Sequence, residues 1–307
     1  MVRLPISVVD AFASRAFRGN PAAVVDFGEA PFLPDAVLQA IARENNLAET
    51  AFVRTSTARV AGAGAAAPPR FHLRWFTPEQ EINLCGHATL ATAKVLLSPG
   101  GAAAGDAGVV FDSLSGPLTV TAARGGGREE EQVLTLDFPA WMPSEVPVAQ
   151  LPPALFAALG LRAEDVEWAG RNRDLTVVLR SPAAVAAARL DARALDQVPG
   201  AVVVILAAAG DGAQHLPGGG GGGAAPDMVV RAFCPGCAAV PEDPVCGSAH
   251  CSLIPLFAAR LGRSELLSHQ LSARGGELRC ALVGDRVRIA GTAVVYLRGT
   301  IEVPAEL

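Results

Sequence analysis

The sequence predicts an α+β protein built from two similar halves, and three observations lead there. The first is a repeat. Arg74-Trp75-Phe76-Thr77-Pro78 precedes Leu84-Cys85-Gly86-His87-Ala88-Thr89, and Arg231-Ala232-Phe233-Cys234-Pro235 precedes Val245-Cys246-Gly247-Ser248-Ala249-His250. The second lies downstream, where each Cys-Gly pair runs into an apolar stretch of helical character, Leu90 to Leu97 and Cys251 to Leu261, and then into a turn, Ser113 to Leu118 and Ser272 to Leu278. Features recurring in one order read as an internal duplication, with the two Cys-Gly turns expected to meet in the cleft between the halves. The third is size. A chain of 307 residues, 50% hydrophobic and 18% charged, suits two compact domains and not a disordered polymer.

The elements can be read in order from local signals. Ile6 to Phe12 reads as a strand, then comes the loop Phe17-Arg18-Gly19-Asn20-Pro21, then a strand over Ala22 to Val25. Gly-Asn-Pro is turn chemistry, and Asn20 is free to bond locally or to a ligand. Pro34 and Asp35 open a helix with Val37, Leu38 and Ile41 at helical spacing, and Asn45-Asn46 ends it. Glu49 stands at the mouth of the next strand among apolar neighbours, where a carboxylate needs a partner. Strands are expected at Phe71 to Phe76 and, around the Ser113 to Gly116 turn, over Val109 to Ala122. Ala61 to Pro69 reads as a surface loop and Arg124 to Glu131 as the crossing between halves.

In the second half, strands are expected near Gln132 to Phe138, Leu175 to Leu179, Ala201 to Leu206 and Met228 to Phe233, and from Leu266 onward. Short helices are expected near Pro153 to Leu159 and Pro182 to Ala188. Gly218 to Gly223 reads as a flexible tip; without a lysine or a helix-opening pattern it is not a phosphate loop. Pro255 falls inside the second apolar helix and is expected to kink or break it.

Charge narrows the partners. A net charge of −5 with no run of Lys or Arg excludes nucleic acid as the main partner and favours a small molecule. The longest apolar run, Ala201 to Ala209, is too short to span a bilayer. Met1 to Phe12 carries Arg3, Pro5 and Asp10, so it lacks the apolar core of a signal peptide. The expected compartment is the cytoplasm, where six cysteines read as thiols, and a homodimer is left open.

Chemistry concentrates at the two turns. A strand that ends in Cys-Gly and opens a helix places a thiol and free backbone N–H groups at a positive helix end, suited to a carboxylate-bearing substrate. The same helix end lowers a thiol's pKa, which makes Cys85 and Cys246 candidate bases at neutral pH; otherwise they are small buried hydrophobes. His87 is a candidate general acid or base, or a capping residue, and Ser248 holds the matching place, where an N-cap is the plainer role. Glu242 and Asp243 border the second turn and would otherwise be a solvated surface pair. Cys234-x-x-Cys237 lacks a second ligand pair for zinc, since Cys246, His250 and Cys251 are committed to the turn and helix, and it lacks the helix-opening context of a redox motif.

These residues carry a resemblance. The chain resembles the phenazine-biosynthesis PhzF-like family in Phe17-x-Gly-Asn-Pro-Ala-Ala-Val24, Asn46-Leu-Ala-Glu-Thr-Ala-Phe52, Arg74 to Pro78, Cys85 to Thr89 and Glu242 to His250, over Ile6 to about Ile301. That family is similar in fold to diaminopimelate epimerase. The resemblance therefore implies two halves, each a curled mixed β-sheet around a central helix, with the active site in the cleft. The halves are expected at 1–127, completed by a C-terminal strand at 294–307, and at 128–293.

The resemblance further implies a cofactor-independent isomerase, with no metal, flavin or nicotinamide. Glu49 would shuttle a proton between carbons of a carboxylate substrate, assisted by His87, Asp243 and Ser248. Backbone amides at Gly86, Gly247 and Ser248 would hold the carboxylate, with Asn20 among the substrate contacts. Apolar surroundings would raise the pKa of Glu49, so that it serves as acid and base in turn. Cys85 and Cys246 also stand where epimerases and proline racemases carry a thiol pair, which keeps a two-cysteine racemase or epimerase open. A non-catalytic small-molecule or protein-binding module on the same fold is the third reading, and the joint presence of Glu49, His87, Asp243 and Ser248 argues against it.

Overall fold

The computed structural model describes residues 1–56, 68–123, 132–213, 224–237 and 240–306. The expected crossing at 124–131, the glycine tip at 218–223 and all but the last two residues of the expected loop at 61–69 lie outside them. In chain order the elements are β1 (Val2–Ala11), β2 (Asn20–Asp26), α1 (Asp35–Asn45), β3 (Glu49–Thr55), β4 (Arg70–Phe76), β5 (Glu81–Ile82), α2 (Gly86–Leu97), β6 (Gly108–Ser113), β7 (Gly116–Ala123) and β8 (Val133–Pro139). Next come β9 (Ser144–Glu145), α3 (Pro153–Leu159), β10 (Val166–Arg171), β11 (Leu175–Leu179), α4 (Pro182–Ala187), α5 (Ala192–Asp196), β12 (Val204–Ala209) and β13 (Met228–Phe233). The chain closes with β14 (Glu242–Asp243), α6 (His250–Leu261), β15 (Glu265–Gln270), β16 (Gly276–Val283), β17 (Arg286–Gly291) and β18 (Ala293–Val303).

Two compact units result, unit 1 of Met1–Asp137 with Ala290–Leu307, and unit 2 of Phe138–Ile289. In unit 1 the strands pair in the order β18-β1-β2-β3-β4-β6-β7, successively antiparallel, antiparallel, parallel, antiparallel, parallel and antiparallel. In unit 2 the order β9-β10-β11-β12-β13-β15-β16 repeats the same succession. The short β5 pairs with the end of β4, and β14 with the end of β13, in the same sense. The repeat seen in the motifs is thus a repeat of topology.

Burial explains the elements. Every residue of α2 except Val95 is buried, as a helix that is apolar all round requires. It packs on β1, β2, β3, β6, β7 and β18, the central helix of its sheet. In unit 2 all residues of α6 from His250 to Ala258 are buried, and the helix packs on β15 and β16. Other helices take up further apolar surface: Val37, Leu38 and Ile41 of α1 join Val25, Phe52 and Phe76, while Leu155, Val185 and Leu195 of α3 to α5 join Val177, Val204 and Phe233. Strands buried on both faces read as continuous apolar runs, as in Leu175–Leu179.

Pro255 does not break α6, contrary to the expectation. A proline removes the N–H that would bond the carbonyl four residues back, here that of Cys251. That carbonyl instead accepts the Trp141 N–H at 2.8 Å, so the helix continues with no orphaned acceptor at this point. The strand expected from Ala201 starts at Val204, because Ala201 donates its N–H to Val198 in a turn and Val202 is exposed. Among the described residues no helix is long and apolar enough to cross a membrane.

Candidate active site

The Arg-x-Phe signal acquires a physical role at the end of β4. Arg74 and Phe76 share a strand face, with the guanidinium 5.1 Å from the ring centroid. Its Nε and Nη2 donate to the two carboxylate oxygens of Glu81 on β5, each at 2.7 Å. In unit 2 Arg231 lies 4.9 Å over Phe233 and donates to Glu242 on β14 at 2.7 and 2.9 Å. Each glutamate stands four residues ahead of its cysteine, so this bidentate fork fixes the strand from which each Cys-Gly turn departs. Glu242, which the sequence placed at the border of the second turn, is paired with Arg231 and acts as a structural clamp.

In unit 1 the turn assembles a compact polar cluster. Asn46 ends α1 in the left-handed region at φ 48°, and β3 begins three residues later with Glu49. Cys85 ends the extended segment and His87 lies in the first turn of α2. Glu49 Oε2 and His87 Nε2 are 3.1 Å apart, with both side chains largely removed from solvent. The two atoms are not aligned as a hydrogen bond, so each is buried without one. On the other side of the ring, Nδ1 is 3.0 Å from Asn20 Nδ2 and 3.5 Å from Cys85 Sγ. Asn20, expected as a substrate contact, is itself completely buried in this structure.

The titration behaviour results from this packing. Burial opposes a charge on the His87 ring, yet the Cys85 sulfur and the Glu49 carboxylate outweigh it, and the pKa lies well above the usual histidine value. Burial pushes the Cys85 thiol up and the Glu49 charge pushes it further, while His87 and the Ala88 N–H pull it down without reversing the shift. Burial and then Asp243 raise the Cys246 thiol well above its ordinary value, against the pull of Ser248. Burial thus works against the expectation that helix N-termini would make these cysteines bases at neutral pH, because desolvation disfavours the thiolate that a helix end favours.

Unit 2 builds its turn from different groups. Gln270 accepts the Cys246 N–H at 2.8 Å and donates to the Asp243 carbonyl at 2.6 Å, tying the turn to β15. The Asp243 carboxylate accepts the Val245 N–H at 3.1 Å. Ser248 Oγ lies 3.6 Å from Cys246 Sγ and accepts from Arg173 Nη2 at 3.0 Å. Arg173 pairs with the buried Asp174 at 2.9 Å, stacks 5.3 Å from the Trp141 ring, and lines a groove of about 370 Å³ with Trp141, Met142 and Asn172. Sequence reasoning missed Arg173, Asp174 and Gln270. Strand register places Asn172 where unit 1 has Asn20, since Leu175 answers Ala23 through their partners Val204 and Thr50. Extending the repeat upstream of the Cys-Gly motif would have found Asn172, and Arg173 and Asp174 directly follow it.

Glu49, Cys85 and His87 have the donor types of a metal site, with candidate ligand atoms within 4.8 Å of one another. The geometry fits a single ion poorly, because Glu49 faces Nε2 and Cys85 faces Nδ1, on opposite edges of the imidazole. The ring bridges its neighbours instead of chelating with both. Cys234 and Cys237 close a turn, with the Cys237 N–H donating to the Cys234 carbonyl at 2.9 Å. Among the described residues they join no third metal-ligating side chain.

A family profile described as phenazine biosynthesis-like protein, PhzC-PhzF, matches residues 9–299. A Pseudomonas aeruginosa protein described as an uncharacterized isomerase is 43% identical, covering 98% of this chain and 99% of its own length. The crystal structure of a PhzF-family phenazine biosynthesis protein from Enterococcus faecalis aligns with a TM-score of 0.80 at 40% identity, covering 98% of this chain and 100% of that one. A hydroxyproline epimerase from Agrobacterium vitis shares the fold at a TM-score of 0.56 and 11% identity, over 97% of this chain and 92% of that one.

Proposed function

Because this chain belongs to the phenazine biosynthesis-like PhzC-PhzF family, we propose that it is an isomerase that moves a proton on a small carboxylate-bearing substrate, with Glu49 as the acid–base group. The observation that carries the reading is the contact of Glu49 with His87 in a buried setting, where two polar atoms lack hydrogen bonds that a substrate can supply. The carboxylate of Glu49 takes a proton from a substrate carbon made acidic by conjugation with the carboxylate, and the electron pair passes into that conjugated system. The protonated Glu49 then returns the proton to a different carbon. His87 donates from Nε2 to whichever oxygen bears charge, and the amides at the start of α2, without intrahelical acceptors, suit the substrate carboxylate. Asp243 and Ser248 enter as residues whose substitution is expected to slow the reaction. No metal or organic cofactor is invoked, and the cytoplasm is the expected compartment.

Solvent deuterium tests the assignment. Glu49→Gln keeps size and hydrogen bonding but cannot carry a proton, and it is expected to lose isotope incorporation into the substrate by about 10²- to 10⁴-fold. Cys85→Ser combined with Cys246→Ser is expected to retain most of it. The opposite result, a dead double serine variant and an active Glu49→Gln, would establish a two-cysteine racemase or epimerase. The thiols at both turns favour that second reading and their raised pKa values weigh against it. Tight binding of a carboxylate ligand with no exchange in the unaltered protein would leave the binding-module reading.

A further inference from the structure

His87 has two distinct faces, and only one arrangement of hydrogens satisfies both. Nε2 lies 3.1 Å from Glu49 Oε2, and although the two are not aligned as a hydrogen bond, a lone pair on Nε2 would face the carboxylate charge, so the nitrogen on that side carries the hydrogen. A neutral imidazole has one N–H, which leaves Nδ1 as a lone pair in need of donors. Asn20 Nδ2 stands 3.0 Å from Nδ1, and the Cys85 thiol is 3.5 Å away. Both ends of the ring thus give the same tautomer.

Asn20 is held where it can enforce this. It pairs with Ala11 at the start of β2, and Asp10 of β1 accepts the Phe17 N–H at 2.7 Å, pinning the intervening loop. Gly19 has φ +63°, and a Cβ there would sit 2.0 Å from the Ala11 carbonyl oxygen, so only glycine lets the loop close this tightly. With Asn20 fully buried, its amide meets the ring without competition from water.

We infer that Asn20 is a positioning residue that selects the Nε2–H tautomer of neutral His87, aiming the ring proton at Glu49 and opposing a second proton on Nδ1. The kinetic consequence rests on the proposed function; the tautomer does not. Among the described residues, the titratable groups touching the ring are Glu49 on β3 and Cys85 in the turn, and both remain in the variants below. Asn20→Asp is isosteric but offers acceptors only. It demands an N–H on Nδ1 and, with Glu49 opposite, holds the ring as imidazolium. Asn20→Leu removes donor and acceptor alike.

Nitrogen-15 spectra of the histidine-labelled full chain read this directly, with His87→Gln assigning the signal among five histidines. On raising the pH, the unaltered protein is expected to lose the proton from Nδ1 and keep Nε2–H. Asn20→Asp is expected to shift that titration upward by at least tenfold in proton concentration, and to lower kcat at least tenfold with KM little changed. A neutral ring protonated on Nδ1 in the unaltered protein, or an unmoved titration in Asn20→Asp, would overturn the inference. Should Asn20→Asp fail to fold, Asn20→Leu takes its place: without the amide donor at Nδ1 the His87 titration is expected to move upward, and an unmoved titration would overturn the inference. If the tautomer is as assigned but Glu49→Gln still exchanges deuterium, the proposed function fails and the positioning role stands.

Discussion

In unit 1 the residue just before Thr50, the partner of Phe76, is Glu49, and the second residue past the turn cysteine is His87. In unit 2 the residue just before Val204, the partner of Phe233, is Val203, and the second past the cysteine is Ser248. Around these differing positions the frame is repeated. Arg74–Glu81 answers Arg231–Glu242, Cys85 answers Cys246, and four residues past each cysteine a side chain donates to its carbonyl, Thr89 in one unit and His250 in the other. The duplicated unit supplies geometry, and chemistry is written at the few positions the copies do not share. A carboxylate touching an imidazole stands at the first turn; a serine held by an ion-paired arginine stands at the second. The shared sulfurs are the symmetric part, and burial raises the pKa of both.

The largest effects should fall on the positions that differ. His87→Ser gives the first turn the second turn's residue, and kcat for proton exchange is expected to fall about 100-fold or more, as for loss of an acid–base partner. Ser248→Ala is expected to cost less than about tenfold, since it removes the hydroxyl's contacts with Arg173 and Cys246 but no titrating group. Equal losses in the two variants would break the comparison and make the turns chemically equivalent.

The shared frame should answer in stability and not in rate. Arg231→Met leaves Glu242 without its counter-charge and also strips a bond to the Ala188 carbonyl at 2.6 Å, so a loss of about 3 kcal/mol is expected. Arg74 is the more exposed of the two, at 23% against 12%, and Arg74→Met should cost about 2 kcal/mol. Urea unfolding measures both. A clamp variant that loses activity while keeping its stability would show that the fork belongs to the chemistry.

Much of this was legible in the residues because the repeat is local. Arg-x-Phe and Cys-Gly lie on single strands and turns, where spacing alone sets the face, and Glu49 stood out as a lone carboxylate among apolar neighbours. The clamp was not legible: Glu81 comes seven residues after its arginine and Glu242 eleven, so loops of unequal length hide the match. The burial of Asn20 depends on how Gly19 seats against β1, which no composition of the loop reveals. The survival of α6 through Pro255 depends on Trp141, distant in sequence. The raised thiol pKa values required knowing that both turns are covered, because helix-end and desolvation effects oppose each other and their magnitudes decide the sign.

The smallest expected effect separates Thr89 from His250, which do the same work with different acid sensitivity. His250 donates from Nδ1 to the Cys246 carbonyl at 2.9 Å and meets Ser268 Oγ through Nε2 at 2.8 Å, fully buried, and burial lowers its pKa to about 4. The folded state thus prefers the neutral ring, whereas the unfolded chain takes up a proton near the ordinary value of 6.5. Its contribution is present above that unfolded value and is lost as pH falls toward about 4. Between pH 7.0 and 5.5 the loss should be about 1 kcal/mol. His87, whose pKa is raised, acts in the opposite direction, so the net slope of the unaltered protein does not isolate either group. His250→Thr does, because it copies Thr89, can donate to the same carbonyl and leaves His87 in place. The variant should be less stable at pH 7.0, through the lost volume and the lost contact with Ser268, but its urea midpoint should fall less between pH 7.0 and 5.5. The gap between the two slopes should be about 1 kcal/mol. Parallel slopes would mean that His250 titrates alike in both states, and that acid sensitivity is not a difference between the two turns.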